Sequence, residues 1–369
     1  MTGVFDPTVD YLAPAPVRSD YGIGIVGAGF IVRDIQAVAY RAAGFNVVGI
    51  TDRTPEIARE VAEVRGIPHV SDTLAGLIED PAVEILDIAV PPHAQLPIIR
   101  QIVESGGRPK GILAQKPLAM NYEDACHIVR LCAAAGIRLA VNQNMRFDHS
   151  IRGLKSLLKR GYLGEPVLGT IEMRAVPHWQ KWLHEYGRLT LLNMSIHHLD
   201  CFRYLFGDPA GVFVSTRKDP RTQFAHEDGI CLYILEYNNG LRASAWDDVW
   251  TGPRTPDNDL QPYIKWRVEG TEGVAEGYIG WPRYPNHQPS ELRYTTSRCP
   301  GVWLTPRWKE AWFPDAFGGP MGALMDAVTE NREAENSGAD NLQTMALVDA
   351  CYRSIAEKRL VRIEEILRQ

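Results

Sequence analysis

Two glycines follow the first apolar run of the chain. Gly27 and Gly29 come directly after residues 22–26, which have the composition of a buried strand, and Phe30 and Ile31 open a segment of helical periodicity. A glycine in the first position permits a tight turn, and one in the second lets the backbone approach a pyrophosphate. The N–H groups at the start of the helix can bind that anion. The spacing predicts a dinucleotide-binding turn formed by these four residues.

An acidic residue closes the next strand-like run. Asp52 stands where a carboxylate can accept hydrogen bonds from the ribose hydroxyls of an adenosine, and its charge repels a 2′-phosphate. This favours NAD over NADP as the cofactor. Arg53 and Thr54 follow immediately and could contact such a phosphate. NADP therefore remains an alternative.

Polar side chains in the second half recur at the spacing of one helix face. Asn193 and His197 are four positions apart, and Asp200 follows one turn later. Oxidation of an alcohol needs a group that removes the hydroxyl proton, and imidazole titrates near neutral pH. His197 is the candidate base, and Asn193 can hold a hydroxyl through its amide. Lys116, predicted at the end of a parallel strand, can stabilise the developing alkoxide.

Two aromatic runs could form part of a substrate site. His178 and Trp179 lie in residues 178–182, and a second run covers residues 246–250. Aromatic rings can stack on a sugar face while nearby polar groups bind its hydroxyls, although both runs could equally be core or interface. No metal site is predicted, because neighbouring histidines such as His197 and His198 point about 100° apart on a helix.

The elements that position these residues can be predicted from apolar periodicity. Short apolar runs alternate with amphipathic segments over the first part of the chain, which predicts parallel βαβ units. A proline after Thr54 marks a helix start and Gly66 its end, and Asn121 begins a further helix. The predicted strands cover residues 22–26, 46–51, 83–90, 111–114 and 137–142.

The second half has a different pattern. Helices are predicted over residues 150–160 and 189–206, and turn sequences at 236–241 and 269–273 predict hairpins. Residues 251–320, rich in proline and tryptophan, predict long ordered loops, although a swapped or interface arm would look the same. Residues 341–368 predict a helix.

The fold class that follows is α/β. A Rossmann-type doubly wound parallel sheet is predicted for residues 1–145, with residues 1–20 as an N-terminal extension. Residues 146–369 are predicted to form an α+β domain with a mainly antiparallel open sheet, which binds substrate and mediates oligomerisation.

Composition excludes several classes of protein. The 369 residues, 45% of them hydrophobic, suit two domains. A net charge of −6, without a basic stripe, argues against nucleic acid as a partner. The six cysteines form no CxxC pair, which indicates reduced thiols. The chain shows no signal peptide and no apolar run long enough to span a bilayer, which predicts a cytoplasmic protein without a membrane partner.

These motifs together resemble the Gfo/Idh/MocA family, the group of glucose-fructose oxidoreductase, inositol dehydrogenase and rhizopine-catabolism proteins. The resemblance runs from about Tyr21 to the C-terminus. The sequence Gln-Lys-Pro at 115–117 is similar to the family's Glu-Lys-Pro signature, and residues 141–147 match its domain crossing. Residues 193–200 are similar to its Asp-x-Gly-x-His-x-x-Asp pattern. The sequence departs from the family at three positions, which are Gln115, Asn193 and Ser195, in place of glutamate, aspartate and glycine.

The resemblance implies an NAD(P)-dependent oxidoreductase that acts on a hydroxyl-bearing carbon of a sugar, polyol or glycoside. It implies the same role for Lys116 as the chemistry above, and a homodimer or homotetramer formed by sheet-to-sheet association. It adds Arg146 to the predicted substrate contacts. The further predicted cofactor contacts are Pro91, His93, Gln115, Lys116 and Asn144. A stiff turn is the alternative for the segment with Pro91 and His93.

Two alternatives to this function stay open. Some similar proteins hold NAD tightly and cleave glycosides by transient oxidation, with no net release of NADH. Other proteins of related fold bind a dinucleotide to regulate protein interactions, and fold alone cannot separate these cases. The presence of both Lys116 and His197 argues against the regulatory alternative.

Overall fold

The computed structural model describes residues 11–106, 109–253, 262–281 and 287–368, without the side chain of Trp179. By their internal contacts these residues form two compact units. The parallel-sheet unit contains residues 13–144 and 313–345, and the mixed-sheet unit contains residues 145–312 and 346–368 together with Tyr11 and Leu12.

The strands and helices follow in chain order. The strands are β1 Ile23–Val26, β2 Val47–Thr51, β3 His69–Val70, β4 Ile85–Ile88, β5 Gly111–Ala114, β6 Arg138–Val141, β7 Pro166–Arg174, β8 Gly211–Arg217, β9 Ile230–Glu236, β10 Arg242–Asp248, β11 Tyr263–Gly270, β12 Gly273–Tyr278, β13 Glu291–Thr296 and β14 Val361–Arg362. The helices are α1 Ala37–Ala42, α2 Pro55–Arg65, α3 Leu74–Glu79, α4 Pro92–Glu104, α5 Tyr122–Ala134, α6 His149–Lys159, α7 Leu183–Tyr186, α8 Ile196–Phe206, α9 Gly318–Glu330, α10 Gly338–Glu357 and α11 Glu364–Leu367. Two π-helical turns, Ile31–Gln36 and Leu191–Ser195, lead into α1 and α8.

The parallel-sheet unit confirms the predicted Rossmann-type sheet. Its strand order is β3-β2-β1-β4-β5-β6, with every neighbouring pair parallel. The predicted helix signals are also confirmed. Gly66 ends α2 in the left-handed conformation, and the Asn121 side chain accepts a hydrogen bond from the Asp124 N–H at the start of α5. The two-residue strand β3 was not predicted, because it is too short to show a period.

The core of this unit lies between its strands and their covering helices. Ile25 and Ile50 are wholly buried there, in one cluster with Met321 and Leu324 of α9. Burial of each such side chain contributes roughly 1.5–3 kcal/mol. Helix α9 therefore belongs to the parallel-sheet unit by its contacts, although the sequence analysis placed this part of the chain in the second domain. The predicted division at residue 145 stays a prediction.

The mixed-sheet unit confirms the predicted mainly antiparallel sheet. Its order is β13-β12-β11-β7-β10-β9-β8-β14, in which β7 and β10 pair in parallel and the other neighbours are antiparallel. The predicted hairpins join β9 to β10 and β11 to β12. Gly240 turns the first of them with a φ of 91°, a conformation that favours glycine.

Two predictions for the second half were wrong. Residues 251–320 contain three strands, β11 to β13, although this stretch was predicted as long ordered loops apart from the hairpin turn at 269–273. Residues 254–261 and 282–286 of that stretch lie outside the described residues. The tail is not one helix, because α10 ends at Glu357 and Lys358 adopts a φ of 54°. The chain then forms β14, which pairs with β8, before the short helix α11.

None of the helices in the described ranges combines the length and the apolar character that a crossing of the bilayer requires.

Candidate active site

The glycine turn between β1 and α1 has the geometry that a dinucleotide needs. Gly27 has a φ of 105°, and a Cβ atom added to it would lie 2.5 Å from the Ala89 carbonyl oxygen. Position 27 therefore requires glycine. A Cβ at Gly29 would meet no atom within 4 Å, so a ligand has open space at that position. The turn fits the pyrophosphate of NAD, and the N–H groups that begin the Ile31–Gln36 turn would hold it.

Asp52 is bonded to the same turn. Its Oδ2 accepts a hydrogen bond of 2.8 Å from the Ala28 N–H, and its Oδ1 accepts one of 2.9 Å from the Thr54 N–H. The carboxylate thus links the glycine turn to the start of α2. Arg53 is exposed beside it. A contact between Asp52 and a ribose stays a prediction.

The predicted residues Pro91 and His93 lie at the start of α4, shortly after β4. Pro91 precedes the first turn of α4, where His93 is exposed. Gln95 on the same helix is buried and was missed in the sequence analysis. Its Nε2 donates to the carbonyl oxygens of Gln115, at 2.7 Å, and Pro117, at 2.6 Å. This side chain therefore fixes both ends of the Lys116 segment.

Lys116 follows β5 and precedes a cis peptide bond to Pro117. The side chain keeps some contact with solvent. Desolvation by the surrounding protein lowers its pKa to about 7. At neutral pH the group is therefore divided between the ammonium and the free amine, and it can change its charge within the working range of an enzyme.

The mixed-sheet unit presents Asn193 and His197 at the start of its long helix. Asn193 lies in the π-helical turn Leu191–Ser195, and His197 lies in the first turn of α8. Both side chains are buried. The His197 ring packs edge-on against Trp312, with 5.2 Å between ring centroids. The π-helical turn is a local departure from the α-helical spacing on which the predicted shared face was based.

A buried carboxylate holds the beginning of this helix. Asp228 accepts hydrogen bonds from the N–H groups of Leu189, at 2.6 Å, and Leu191, at 2.7 Å. It also accepts one from the Tyr352 hydroxyl at 3.0 Å. A negative charge at a helix N-terminus is stabilising, so Asp228 anchors the turn that carries Asn193. The sequence contained no local signal for this long-range cap.

A second buried carboxylate lies under the same turn. Asp247 of β10 accepts a hydrogen bond from the Ser195 hydroxyl and lies 3.1 Å from His198 Nδ1. His198 and Asp247 are fully enclosed by protein. His198 thus has a structural contact of its own. Within the described ranges no three His, Cys, Asp or Glu side chains are placed to hold a metal ion.

The residues at the crossing between β6 and α6 are held by polar contacts. Asn144 donates from Nδ2 to the Asn142 carbonyl oxygen at 3.0 Å. Arg146 donates from Nε and Nη2 to the two carboxylate oxygens of Asp200, at 2.7 and 2.6 Å. Both members of this ion pair are buried. Asp200, predicted on the helix face of His197, therefore binds Arg146, which was itself a predicted substrate contact.

The aromatic runs have separate surroundings. His178 forms a 2.6 Å hydrogen bond through Nε2 with the Thr222 hydroxyl. The Trp179 side chain lies outside the described part of the structure. Trp246 is 59% exposed on β10, and Trp250 is 37% exposed, with the guanidinium carbon of Arg221 4.4 Å from its ring centroid. A stacking role for His178 and Trp179 on a substrate stays a prediction.

Comparison with known proteins gives two family matches. Residues 21–143 match a model described as an oxidoreductase family with an NAD-binding Rossmann fold. Residues 155–363 match the model for the C-terminal alpha/beta domain of the same oxidoreductase family.

Similar proteins match over nearly the whole chain. A D-apiose dehydrogenase of Rhizobium rhizogenes is 28% identical over 352 residues, which cover 93% of this chain and 97% of the relative. An inositol 2-dehydrogenase of Burkholderia cenocepacia is 25% identical over 343 residues, which cover 90% of this chain and 93% of the relative. A solved structure of an oxidoreductase from Agrobacterium radiobacter, in complex with NAD+, L-tartaric acid and magnesium, superposes with a TM-score of 0.78. It is 25% identical and covers 94% of this chain and 99% of its own.

Proposed function

The chain belongs to the Gfo/Idh/MocA family of NAD-binding oxidoreductases, and on that premise we propose that it transfers a hydride between NAD and a hydroxyl-bearing carbon of a sugar or polyol. The observation that carries this proposal is its likeness, over 93% of the chain, to a dehydrogenase named for D-apiose. The relative named for inositol supports a polyhydroxylated substrate in the same way.

The chemistry can be divided among three side chains. In the direction of oxidation, the substrate loses a hydride from carbon and a proton from its hydroxyl. NAD, when bound, supplies the hydride acceptor. His197 takes the proton, and the Lys116 ammonium stabilises the negative charge that develops on oxygen. Asn193 holds a hydroxyl through its amide, but it cannot compensate an imidazolium charge as a carboxylate would.

The test is a screen of sugars, polyols and glycosides with NAD and with NADP. We expect reduction of NAD, seen as absorbance of NADH, with at least one sugar or polyol. Cleavage of a glycoside without bulk NADH would support the alternative in which NAD stays bound. Binding of NAD without turnover of any substrate in the set would contradict the proposal and favour a regulatory role.

Asp52 is expected to determine the choice of cofactor. Asp52→Ala should weaken NAD binding and reduce the preference for NAD over NADP, because the charge that repels a 2′-phosphate is lost. The same change removes the hydrogen bonds to Ala28 and Thr54, which should weaken both cofactors alike. The ratio of kcat/KM for NAD to that for NADP therefore isolates what Asp52 does at the ribose, which is to bind its hydroxyls and to repel a 2′-phosphate.

Arg53 provides the matched control for this cofactor experiment. Arg53→Ala removes an exposed cation without altering the bonds of Asp52. It should lower the use of NADP and leave the use of NAD near that of the wild type. A wild-type protein that uses NADP much better than NAD would overturn the assignment of Asp52.

An apolar surface on the mixed sheet supports a homodimer or homotetramer. Trp246 and Leu232 are paired neighbours on β10 and β9, and Phe213 and Ile234 are paired neighbours on β8 and β9. Each is at least 40% exposed. Such a continuous apolar face on a sheet is typical of an interface.

Light scattering tests this assembly. We expect a mass of at least two chains for the wild type and a lower mass for Trp246→Lys, because a charge would be buried in the interface. Val64→Lys, at an exposed apolar position of α2, is the matched control and should keep the wild-type mass. A monomeric mass for the wild type at all practical concentrations would remove the proposal.

Two further predictions concern location and partners. All six cysteines are free thiols, which suits a reducing compartment and so supports the predicted cytoplasmic location. The predicted absence of a nucleic-acid or membrane partner remains a prediction.

A further inference from the structure

Three buried polar side chains, Gln36, Tyr40 and Asp87, and the half-buried Gln115 form a row in the parallel-sheet unit that ends at the Lys116 backbone. Asp87 of β4 accepts hydrogen bonds of 2.7 Å from both Gln36 Nε2 and the Tyr40 hydroxyl. Gln115 donates from Nε2 to Gln36 Oε1 at 3.3 Å. The Lys116 N–H in turn donates to Gln115 Oε1 at 3.0 Å. Asp87, Gln36, Gln115 and the Lys116 backbone therefore form a continuous chain of hydrogen bonds.

The chemistry of the two ends fixes the direction of this chain. An ionised carboxylate can only accept, so the amide nitrogen of Gln36 must face Asp87. The Gln36 oxygen then faces Gln115, whose nitrogen must donate to it. The Gln115 oxygen is left to accept from the Lys116 N–H, which can only donate. Each amide is therefore held in one orientation.

With its donors and acceptors in their present order, the hydrogen-bond chain can accommodate only one ionised carboxylate. Gln36, Tyr40 and Asp87 are almost completely buried, so an unfavourable contact there would not be relieved by water. An ionised carboxylate at position 115 would face the Gln36 oxygen. If the Gln36 amide turned over, its oxygen would face Asp87 instead.

We propose that Asp87, Gln36 and Gln115 are positioning residues for Lys116, and that this chain requires a glutamine at 115 because its one carboxylate is at 87. The inference rests on the proposed function for the role of Lys116 in turnover. The hydrogen-bond chain itself does not depend on the proposed function, because all of its contacts are observed within the parallel-sheet unit. Burial raises the pKa of Asp87 to about 7, against the hydrogen bonds from Tyr40 and Gln36, so the chain is fully directed above that pH.

The first test is Gln115→Glu. A glutamate can replace the amide only while it is protonated, because only then does it donate to Gln36. We expect kcat to fall by roughly tenfold or more relative to the wild type at pH 8, as the part-buried contact between positions 115 and 36 becomes repulsive. The deficit should be smaller at pH 5.5. Turnover is measured against pH with the substrate found in the screen, and a cooperative thermal unfolding transition shows that the variant is folded.

The matched variants reverse the direction of the chain. In Asp87→Asn/Gln115→Glu, the Gln36 amide can turn over, donate to the carboxylate introduced at position 115 and accept from the amide introduced at position 87, so every donor again has an acceptor. The double variant should recover most of the turnover lost in Gln115→Glu at pH 8. Asp87→Asn alone keeps the hydrogen-bond chain connected but no longer fixes its direction, so it should lose turnover, although less than Gln115→Glu. Tyr40→Phe leaves the chain connected and directed, and it should stay within about threefold of the wild type.

A variant without an added charge guards against misfolding of Gln115→Glu. Gln36→Met breaks the chain and adds no ionisable group. It should lower kcat at pH 8, and adding Asp87→Asn should not restore the turnover because the hydrogen-bond chain stays broken; recovery of Gln36→Met by Asp87→Asn would count against the explanation.

Two outcomes overturn the inference. One is wild-type turnover by Gln115→Glu at pH 8, and the other is a double variant no better than Gln115→Glu. The unfolding temperatures of the wild type, Gln115→Glu, Asp87→Asn and the double variant report on the chain without activity. The unfolding temperature could fall in Gln115→Glu and recover in the double variant while turnover is the same in all variants, Lys116→Met included. In that case the catalytic role assigned to Lys116 is wrong, but the order of donors and acceptors in the hydrogen-bond chain is supported.

Discussion

His197→Asn is expected to lower turnover by roughly a hundred- to ten-thousand-fold. Asparagine keeps much of the side-chain bulk beside Trp312 but cannot accept a proton in this pH range. NAD binding should be almost unchanged, because the glycine turn that fits the cofactor lies in the other unit. The measurements are kcat from NADH absorbance and the Kd of NAD from calorimetry.

The pH profile separates loss of a base from loss of packing. In the wild type, turnover in the oxidative direction should fall at acidic pH as the base becomes protonated, and this limb should be absent in His197→Asn. The same substitution at His127, on α5, is the matched control and should retain both turnover and the limb. If His197→Asn itself keeps near-wild-type turnover and the acidic limb, the proton leaves by another route and the assignment is wrong.

The parallel sheet could be predicted because its signals are local. Buried parallel strands are apolar on both faces, so each strand is a short run such as Ile23–Val26 between turn residues. The glycine at 27 is needed for a backbone conformation, and that need is also visible in the sequence. Helix α9 is different, because its place against β5 and β6 depends on packing between distant parts of the chain.

The three strands in residues 251–320 carried a signal that their surroundings obscured, although the hairpin turn at 269–273 between two of them was predicted. In β11 the apolar residues Ile264, Trp266 and Val268 alternate with polar ones, which is the pattern of a half-buried strand. The prolines and tryptophans on either side made the whole stretch look irregular. The last strand, β14, has two residues and is defined by its pairing with β8 rather than by any period.

The residues of the candidate site also fall into those that local sequence signals predict and those that only the tertiary structure reveals. Gly27, Asp52, Lys116 and His197 could be singled out because each belongs to a motif with a chemical reason for its spacing. Their supporting side chains could not, since a single polar residue such as Asp87 in an apolar strand shows only that some partner exists. Which partner it is depends on the tertiary structure.

The charge of Lys116 gives the second large prediction. Burial lowers its pKa to about 7, so the ammonium is present below that pH and is lost above it. If the ammonium stabilises the developing alkoxide, kcat/KM for oxidation should decline as the pH rises through this value. A lysine that acted instead as the base would be active as the free amine, and kcat/KM would rise over the same interval.

Lys116→Met should lower kcat by roughly a hundred- to a thousand-fold, because it removes a charge that acts on the transition state. KM for the substrate should rise as well, since the same charge contacts the bound hydroxyl, and the alkaline limb should disappear from the profile. Lys116→Arg is the matched control: it stays protonated at every working pH, so it should also lack the limb while retaining more turnover than Lys116→Met. The unfolding temperature should stay near that of the wild type, because methionine leaves no buried charge without compensation. A wild-type profile that rises through pH 7, and an arginine variant as inactive as the methionine variant, would assign the base to Lys116 and leave His197 a positioning role.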